Sequence, residues 1–240
     1  DEGLVGSEMC IRDSYNTAVG KNSLFSNETG IDNSALGLKA LSSNTTGSYN
    51  TALGSNALFS NTTAGNNTAV GYAALYNATT ASGNTAMGES AMYYTTTGDY
   101  NTAMGNQALY SNTTGNDNSV LGYYAMYYNT TGSDNVAQGY KAMYTNTTGM
   151  RNTSLGYMSM YSNSSGTENV ALGYQSLYDN QSGDYNTALG MYALYSATGS
   201  NNTAVGYQAG QLAEGTGNVF LGYKAGYDET GSNKLYISNE

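Results

Sequence analysis

Histidine, proline and tryptophan are absent from this 240-residue chain, and its one cysteine is Cys10. Each absence removes a class of chemistry. Without histidine there is no imidazole base near neutral pH, and one cysteine builds neither a disulfide framework nor a cysteine metal site. Charged residues make up only 10% of the chain, and a net charge of −10 leaves no Lys/Arg cluster to release counterions from phosphate. Nucleic acid is therefore not expected as a partner. No apolar run approaches the ~18 residues that would span a bilayer, so no membrane insertion is expected, and no signal-peptide pattern opens the chain. Carboxylates fall at shifting places such as Glu28, Glu89, Asp117, Asp134 and Glu168. They form no acid/base pair, so neither an enzyme nor a metal or cofactor is expected. The calcium-binding nonapeptide of other β-rolls, with an Asp in every turn, is missing too.

What the chain does have is glycine, asparagine, threonine, serine and 25 tyrosines, arranged in a repeat. The pattern Asn-Thr-Ala-apolar-Gly starts at Asn16, Asn33, Asn50, Asn67, Asn84, Asn101, Asn118, Asn135, Asn152, Asn169 and Asn186, each 17 residues after the last. Asn202 and Asn218 follow at a spacing of 16. The consensus unit is N-T-A-L-G-Y-x-A-L-Y-x-N-T-T-G-x-(D/Y), numbered below as positions 1 to 17. Such a period is too short for a helical hairpin, which needs about 33 to 47 residues. It suits one coil of an all-β parallel β-solenoid (β-roll or β-helix), about thirteen 17-residue coils in all. Coils stacked in register at about 4.8 Å place like residues above one another and predict a rod roughly 60 Å long. Residues 1–14 fit no repeat and read as translated adaptor sequence or as a short capping leader. Residues 15–232 carry the solenoid, and 233–240 a terminal strand or cap.

The ladders have separate tasks. Position 4 (Val19, Leu36, Leu53, Val70 and their equivalents) is expected to be a core row, as is position 9 (Leu24, Leu41, Leu58, Leu75, Met92). Small residues at position 8, such as Ala40 and Ala57, imply a narrow interior. The position-1 asparagines read as a structural amide ladder turning a corner, with a row of ligand-binding amides as the alternative. Position 10 gives an aromatic ladder: Phe25, Phe59, Tyr76, Tyr93, Tyr110, Tyr127, Tyr144, Tyr161, Tyr178, Tyr195 and Tyr227. These rings stack along the coils, either as an exposed adhesive row or as cover for a thin core or a subunit interface. Position 12 supplies N-x-(S/T) acceptors at Asn27, Asn44, Asn61, Asn112, Asn129, Asn146, Asn163 and Asn180, so covalent N-glycans along one corner are an open expectation.

The segments NTALGSNAL, NTAVGYQAG and NVFLGYKAGYDETGSNKLYISN resemble the head repeats of trimeric autotransporter adhesins and related repeats of phage and bacterial tail fibres, over residues 16–239. The resemblance implies a left-handed parallel β-roll, commonly trimeric, exposed at a cell or virion surface. The expectation is thus a structural extracellular fibre or adhesin module. Its partners would be further copies of itself, as a trimer or an end-to-end filament, and host-surface carbohydrate or protein. Alternatives are an ice-binding solenoid presenting threonine rows and a lectin-like carbohydrate binder using tyrosines.

Overall fold

Within each repeat only three residues form a strand, and this brevity decides which side chains face inward. The structure, a computed structural model, describes residues 15–238, so the leader 1–14 lies outside the described residues. Two compact units divide the chain, Asp1–Asn118 and Ser119–Glu240. The first holds β1 (Thr17–Val19), β2 (Ser34–Leu36), β3 (Thr51–Leu53), β4 (Thr68–Val70), β5 (Thr85–Met87) and β6 (Thr102–Met104). The second holds β7 (Ser119–Leu121), β8 (Val136–Gln138), β9 (Thr153–Leu155), β10 (Val170–Leu172), β11 (Thr187–Leu189), β12 (Thr203–Val205), β13 (Val219–Gly222) and β14 (Leu235–Ser238). There is no helix among the described residues. Within each unit, successive strands pair in parallel with like positions opposed, as in Ala18↔Ala35↔Ala52 and Ala171↔Ala188↔Ala204. The fold is an all-β parallel β-solenoid of about thirteen coils. Residues 233–238 extend it: β14 pairs with β13 in the same register, and Lys234 N–H bonds to Asn218 Oδ1 as the asparagine of a further coil would.

Strand side chains alternate across the sheet, and the middle residue is the one that turns inward. Position 3 is therefore the inner strand row. Ala35, Ala52, Ala69, Ala86 and Ala103 are buried, as are Ala137, Ser154, Ala171 and Ala188. This corrects the expectation for position 4, whose residues face out: Val19 is 52% exposed, Leu36 49% and Leu53 42%. The expected position-9 row does lie inside, with Leu24, Leu41, Leu58, Leu75, Met92 and Leu109 buried in the first unit and Met126, Met143, Met160, Leu177 and Leu194 in the second. Burying one such side chain stabilises by roughly 1.5–3 kcal/mol, so this row supplies most of the apolar core.

The loops between strands use left-handed backbone in every coil. Leu41, Lys39 and Tyr49 have φ of 50°, 58° and 61°, and the equivalent positions 9, 7 and 17 repeat this along the chain. A non-glycine residue costs about 1–2 kcal/mol there. Each such residue turns its amide toward a neighbouring coil: Leu41 N–H donates to Ala57 O (3.0 Å), Lys39 N–H to Lys21 O (2.9 Å) and Tyr49 N–H to Ile31 O (3.0 Å). The strain is thus held by inter-coil hydrogen bonds. Position 5 tolerates only glycine. Gly20 sits at φ 129°, and a Cβ on it would stand 2.6 Å from Gly37 O in the next coil.

Core composition is compensated between coils. Phe220 replaces alanine at position 3 of β13, and Gly210 and Gly226 replace the large residue at position 9 around it. A Cβ on Gly210 would lie 2.5 Å from the Phe220 ring, and one on Gly226 would also collide with it. One large ring has displaced two leucine-sized side chains. In β9 the inner residue is Ser154, and its hydroxyl meets that of Ser159, which replaces the position-8 alanine, at 2.6 Å.

Candidate functional site

Four outward surfaces run along each unit: the strand face (positions 2 and 4), an aromatic face (positions 6, 7, 10 and 11), a threonine corner (13 and 14) and a polar corner (16 and 17). The asparagine ladders belong to none of them. Asn33, Asn50, Asn67, Asn84, Asn101, Asn118, Asn135, Asn152, Asn169, Asn186, Asn202 and Asn218 are buried, and Asn16 nearly so. Along each unit the side-chain carbonyl accepts the next coil's position-1 N–H, as from Asn33 N to Asn16 Oδ1 (2.8 Å) and Asn169 N to Asn152 Oδ1 (3.0 Å). Their amides donate within the coil, as Asn33 Nδ2 does to Gly47 O (2.8 Å). They have no free group to offer a ligand, which leaves the structural reading of the two.

The position-12 asparagines are also interior. Asn44, Asn61, Asn112, Asn129, Asn146, Asn163 and Asn180 are buried and Asn27 half-buried. Asn44 Nδ2 donates to Gly47 O (2.9 Å) and Asn27 Oδ1 (2.8 Å), and Asn163 Nδ2 to Gly166 O (3.1 Å) and Asn146 Oδ1 (2.9 Å). A sugar on such an amide would have to occupy the space of the adjacent coil. The expected row of N-glycans is therefore corrected: this is a second amide ladder closing the Asn-Thr-Thr-Gly turn, and the sequon is its by-product.

The aromatic face carries the exposed chemistry. Position-10 rings stack at 4.9–5.4 Å from Phe59 through Tyr76 and Tyr93 to Tyr110, and at 5.0–5.6 Å from Tyr127 through Tyr144, Tyr161 and Tyr178 to Tyr195. Phe25 is exposed, and Tyr227 lies half-buried beneath the Lys224 ammonium (5.9 Å). A second row at position 6 stacks Tyr123, Tyr140, Tyr157 and Tyr174 at 5.1–5.8 Å and stays exposed. Burial raises the phenol pKa at Tyr93, Tyr178 and Tyr195. At Tyr144, burial first and then a hydrogen bond with Tyr128 push it up to about 12. These phenols are protonated donors at neutral pH.

Between the two rows lies a lane the sequence reading passed over. Position 7 holds Lys39, Lys141 and Lys224, and each ammonium lies over an aromatic ring: Lys39 over Phe59 at 5.7 Å, Lys141 over Tyr144 at 4.9 Å, Lys224 over Tyr223 at 5.3 Å. The available signal was the placing of lysine at one repeat position in a lysine-poor chain.

The surface so defined is a repeated array of aromatic rings and lysines on a solenoid. Comparison with family models, curated proteins and solved structures finds no match for the chain.

Proposed function

We propose that this chain is a structural module of an extracellular fibre or adhesin, associating side by side with further copies of itself through the strand face. The observation that carries the reading is the outward apolar row of position 4. In the first unit Val19, Leu36 and Leu53 are exposed on β1 to β3 and Met87 and Met104 on β5 and β6, with the half-buried Val70 of β4 between them, and Val19, Leu36 and Leu53 line a shallow apolar hollow. A row of this kind marks an interaction surface. Its members recur at the inter-strand spacing of about 4.8 Å, and a partner with the same repeat keeps register along the whole row. Another copy of the chain supplies that repeat. The resemblance to adhesin and tail-fibre repeats supports the same setting, at a cell or virion surface.

Sedimentation and electron microscopy of the intact chain test this. Associated species are expected, and the paired change Leu36→Asp with Leu53→Asp is expected to dissociate them while leaving the circular dichroism spectrum unchanged. Monomers at every concentration would overturn the reading. The same face presents Thr17, Ser34, Thr51, Thr68, Thr85 and Thr102 in a row beside the apolar one, which is the feature that favours ice binding as the second reading. Thermal hysteresis at micromolar protein separates the two.

A further inference from the structure

We propose that the aromatic face around Lys141 binds an acidic polysaccharide, with the Lys141 ammonium pairing the sugar carboxylate and the surrounding tyrosines packing against the sugar rings. Lys141 stands between the two tyrosine rows. Its Nζ lies 4.9 Å from the ring centre of Tyr144, 5.5 Å from Tyr140 and 5.9 Å from Tyr124. A cation over several ring faces is held by their quadrupoles and partly stripped of water. It keeps N–H donors free for an anion, because the ion pair of this region belongs to Arg151 and Glu168 (3.1 Å), and Lys141 takes no part in it.

The charge pattern selects an anionic guest. Although the chain carries a net charge of −10, the segments 123–128, 140–145 and 157–162 that form this face contain no carboxylate. The acidic groups of these coils, Asp134 and Glu168, stand at position 17, on the polar corner. Lys141 is the single charged residue of these three segments, and the first carboxylate further along the face, Asp179 at position 11, is engaged by the hydroxyls of Ser162 and Ser196 (both 3.3 Å).

The aromatic frame selects a carbohydrate and the repetition selects a polymer. Tyrosine offers a rigid apolar body and a hydroxyl at little entropic cost, which suits a pyranose with C–H faces and hydroxyl edges. Beyond Lys141 the rows continue at 5.1 Å steps from Tyr140 to Tyr157 and from there to Tyr174. Lys224 repeats the arrangement over Tyr223 at 5.3 Å. A chain molecule meets several such contacts at once, and weak ones then add. A polyphosphate is disfavoured: it presents far more charge than one lysine can neutralise, against a chain that is itself acidic.

The inference rests on the adhesin reading only for its biological setting, and its test separates the two. Intact chain is titrated by calorimetry with polygalacturonate, dextran and polyglutamate, with sedimentation run on the same samples. Binding of polygalacturonate is expected, weakening with salt, and dextran is expected not to bind. Lys141→Gln and Tyr144→Leu should each weaken it by at least about tenfold, the scale of one lost charge-assisted contact, without altering the sedimentation profile. No binding of polygalacturonate, equal binding by Lys141→Gln, or equal binding of polyglutamate would each overturn the proposal, whatever the state of assembly.

Discussion

Asn33 and Asn44 both donate their side-chain amides to one carbonyl oxygen, that of Gly47, at 2.8 and 2.9 Å. In this coil the two ladders therefore meet at a single point and fill both lone pairs of one acceptor. Neither asparagine can be replaced without leaving buried polar groups unpaired.

The first prediction follows from that convergence. Asn44→Ala removes a donor to Gly47 O and to Asn27 Oδ1, and an acceptor for Asn61 Nδ2 (2.6 Å). Leaving a buried amide unpaired costs about 1–3 kcal/mol, so urea unfolding should show a loss of that size. Asn44→Asp should cost more, because a carboxylate accepts where this site needs a donor. Thr46→Ala, at the exposed neighbouring position, should stay within about 0.5 kcal/mol of the parent.

A second prediction concerns the place where the position-12 ladder is broken. Ala78 and Thr95 replace asparagine there, and Asn61 Oδ1 and the Thr95 hydroxyl are buried without a partner. Ala64 and Ala81 replace the position-15 glycine in the same stretch. At Gly47 a Cβ would collide with the adjacent coil's Ala64 O and with Asn44 Oδ1 of its own coil, and would meet the adjacent coil's Asn61 Nδ2 at 2.8 Å, so a methyl at this position suits only coils whose turns stand further apart and whose neighbour lacks the amide. The turns are also looser here: Thr62 N–H and Thr63 N–H reach Thr79 O at 3.3 and 3.5 Å, against 2.9 and 3.1 Å for Thr45 and Thr46 to Thr62 O. Ala78→Asn alone should gain nothing. Combined with Ala64→Gly and Ala81→Gly it should stabilise by about 1 kcal/mol, the net value of a hydrogen bond made, read from the urea midpoint. Amide exchange in the parent should be fastest among the turns at Thr62, Thr63, Thr79 and Thr80.

A third prediction tests the exchange of volume around Phe220. Phe220→Ala should cost about 3–5 kcal/mol through the cavity it leaves. Gly226→Leu on the parent background should also destabilise, since the new side chain collides with the ring. The triple change Phe220→Ala, Gly210→Leu, Gly226→Leu rebuilds the arrangement of the other coils and should recover most of the loss. A triple variant no more stable than Phe220→Ala alone would refute this account of the core.

The repeat period, the parallel stacking and the position-9 core were legible because each writes the same residue type at a fixed spacing. The facing of positions 3 and 4 was not. Hydropathy draws attention to Leu36 and Leu53, whereas the buried residues are Ala35 and Ala52. A three-residue strand is also too short to show alternation. The usable signal was size: position 3 is small in nearly every coil, as a narrow interior demands, and departs to Phe220 only where glycine appears at position 9. The sequons misled for a related reason. Asn-Thr-Thr is what a turn closed by a buried asparagine looks like, and sequence does not distinguish an amide facing solvent from one facing the next coil. The lysine lane showed in the sequence only as lysine recurring at position 7, and its place over the rings needed the coil, which brings positions 6, 7 and 10 to one face.

The fourth prediction concerns the pH response of the solenoid, argued from one lowered carboxyl and one raised phenol. In inner coils the turn amides point to a carbonyl of the next coil, as Thr45, Thr46 and Gly47 N–H do to Thr62 O. In the coil of β13, Glu229 at position 12 takes over this role, accepting Gly231 N–H (2.6 Å) and the Tyr236 hydroxyl. The Tyr236 hydrogen bond first, and then the Gly231 amide, hold the Glu229 carboxyl below its ordinary value. A depressed carboxylate contributes stability above its unfolded pKa and loses it as pH falls through the folded one. Acidification below the ordinary glutamate range should therefore loosen β14 first, and Glu229→Gln should make its amide exchange insensitive to that change. At the alkaline end the sign is opposite. Tyr144, raised to about 12, contributes stability that is whole below pH ~10 and is lost as pH rises toward 12. Ultraviolet titration should show a late-ionising phenol that Tyr144→Phe removes, and urea midpoints of the parent should fall over the same interval. A parent whose tyrosines all ionise together near pH ~10 would show that the stacked row gives these rings no shelter from water.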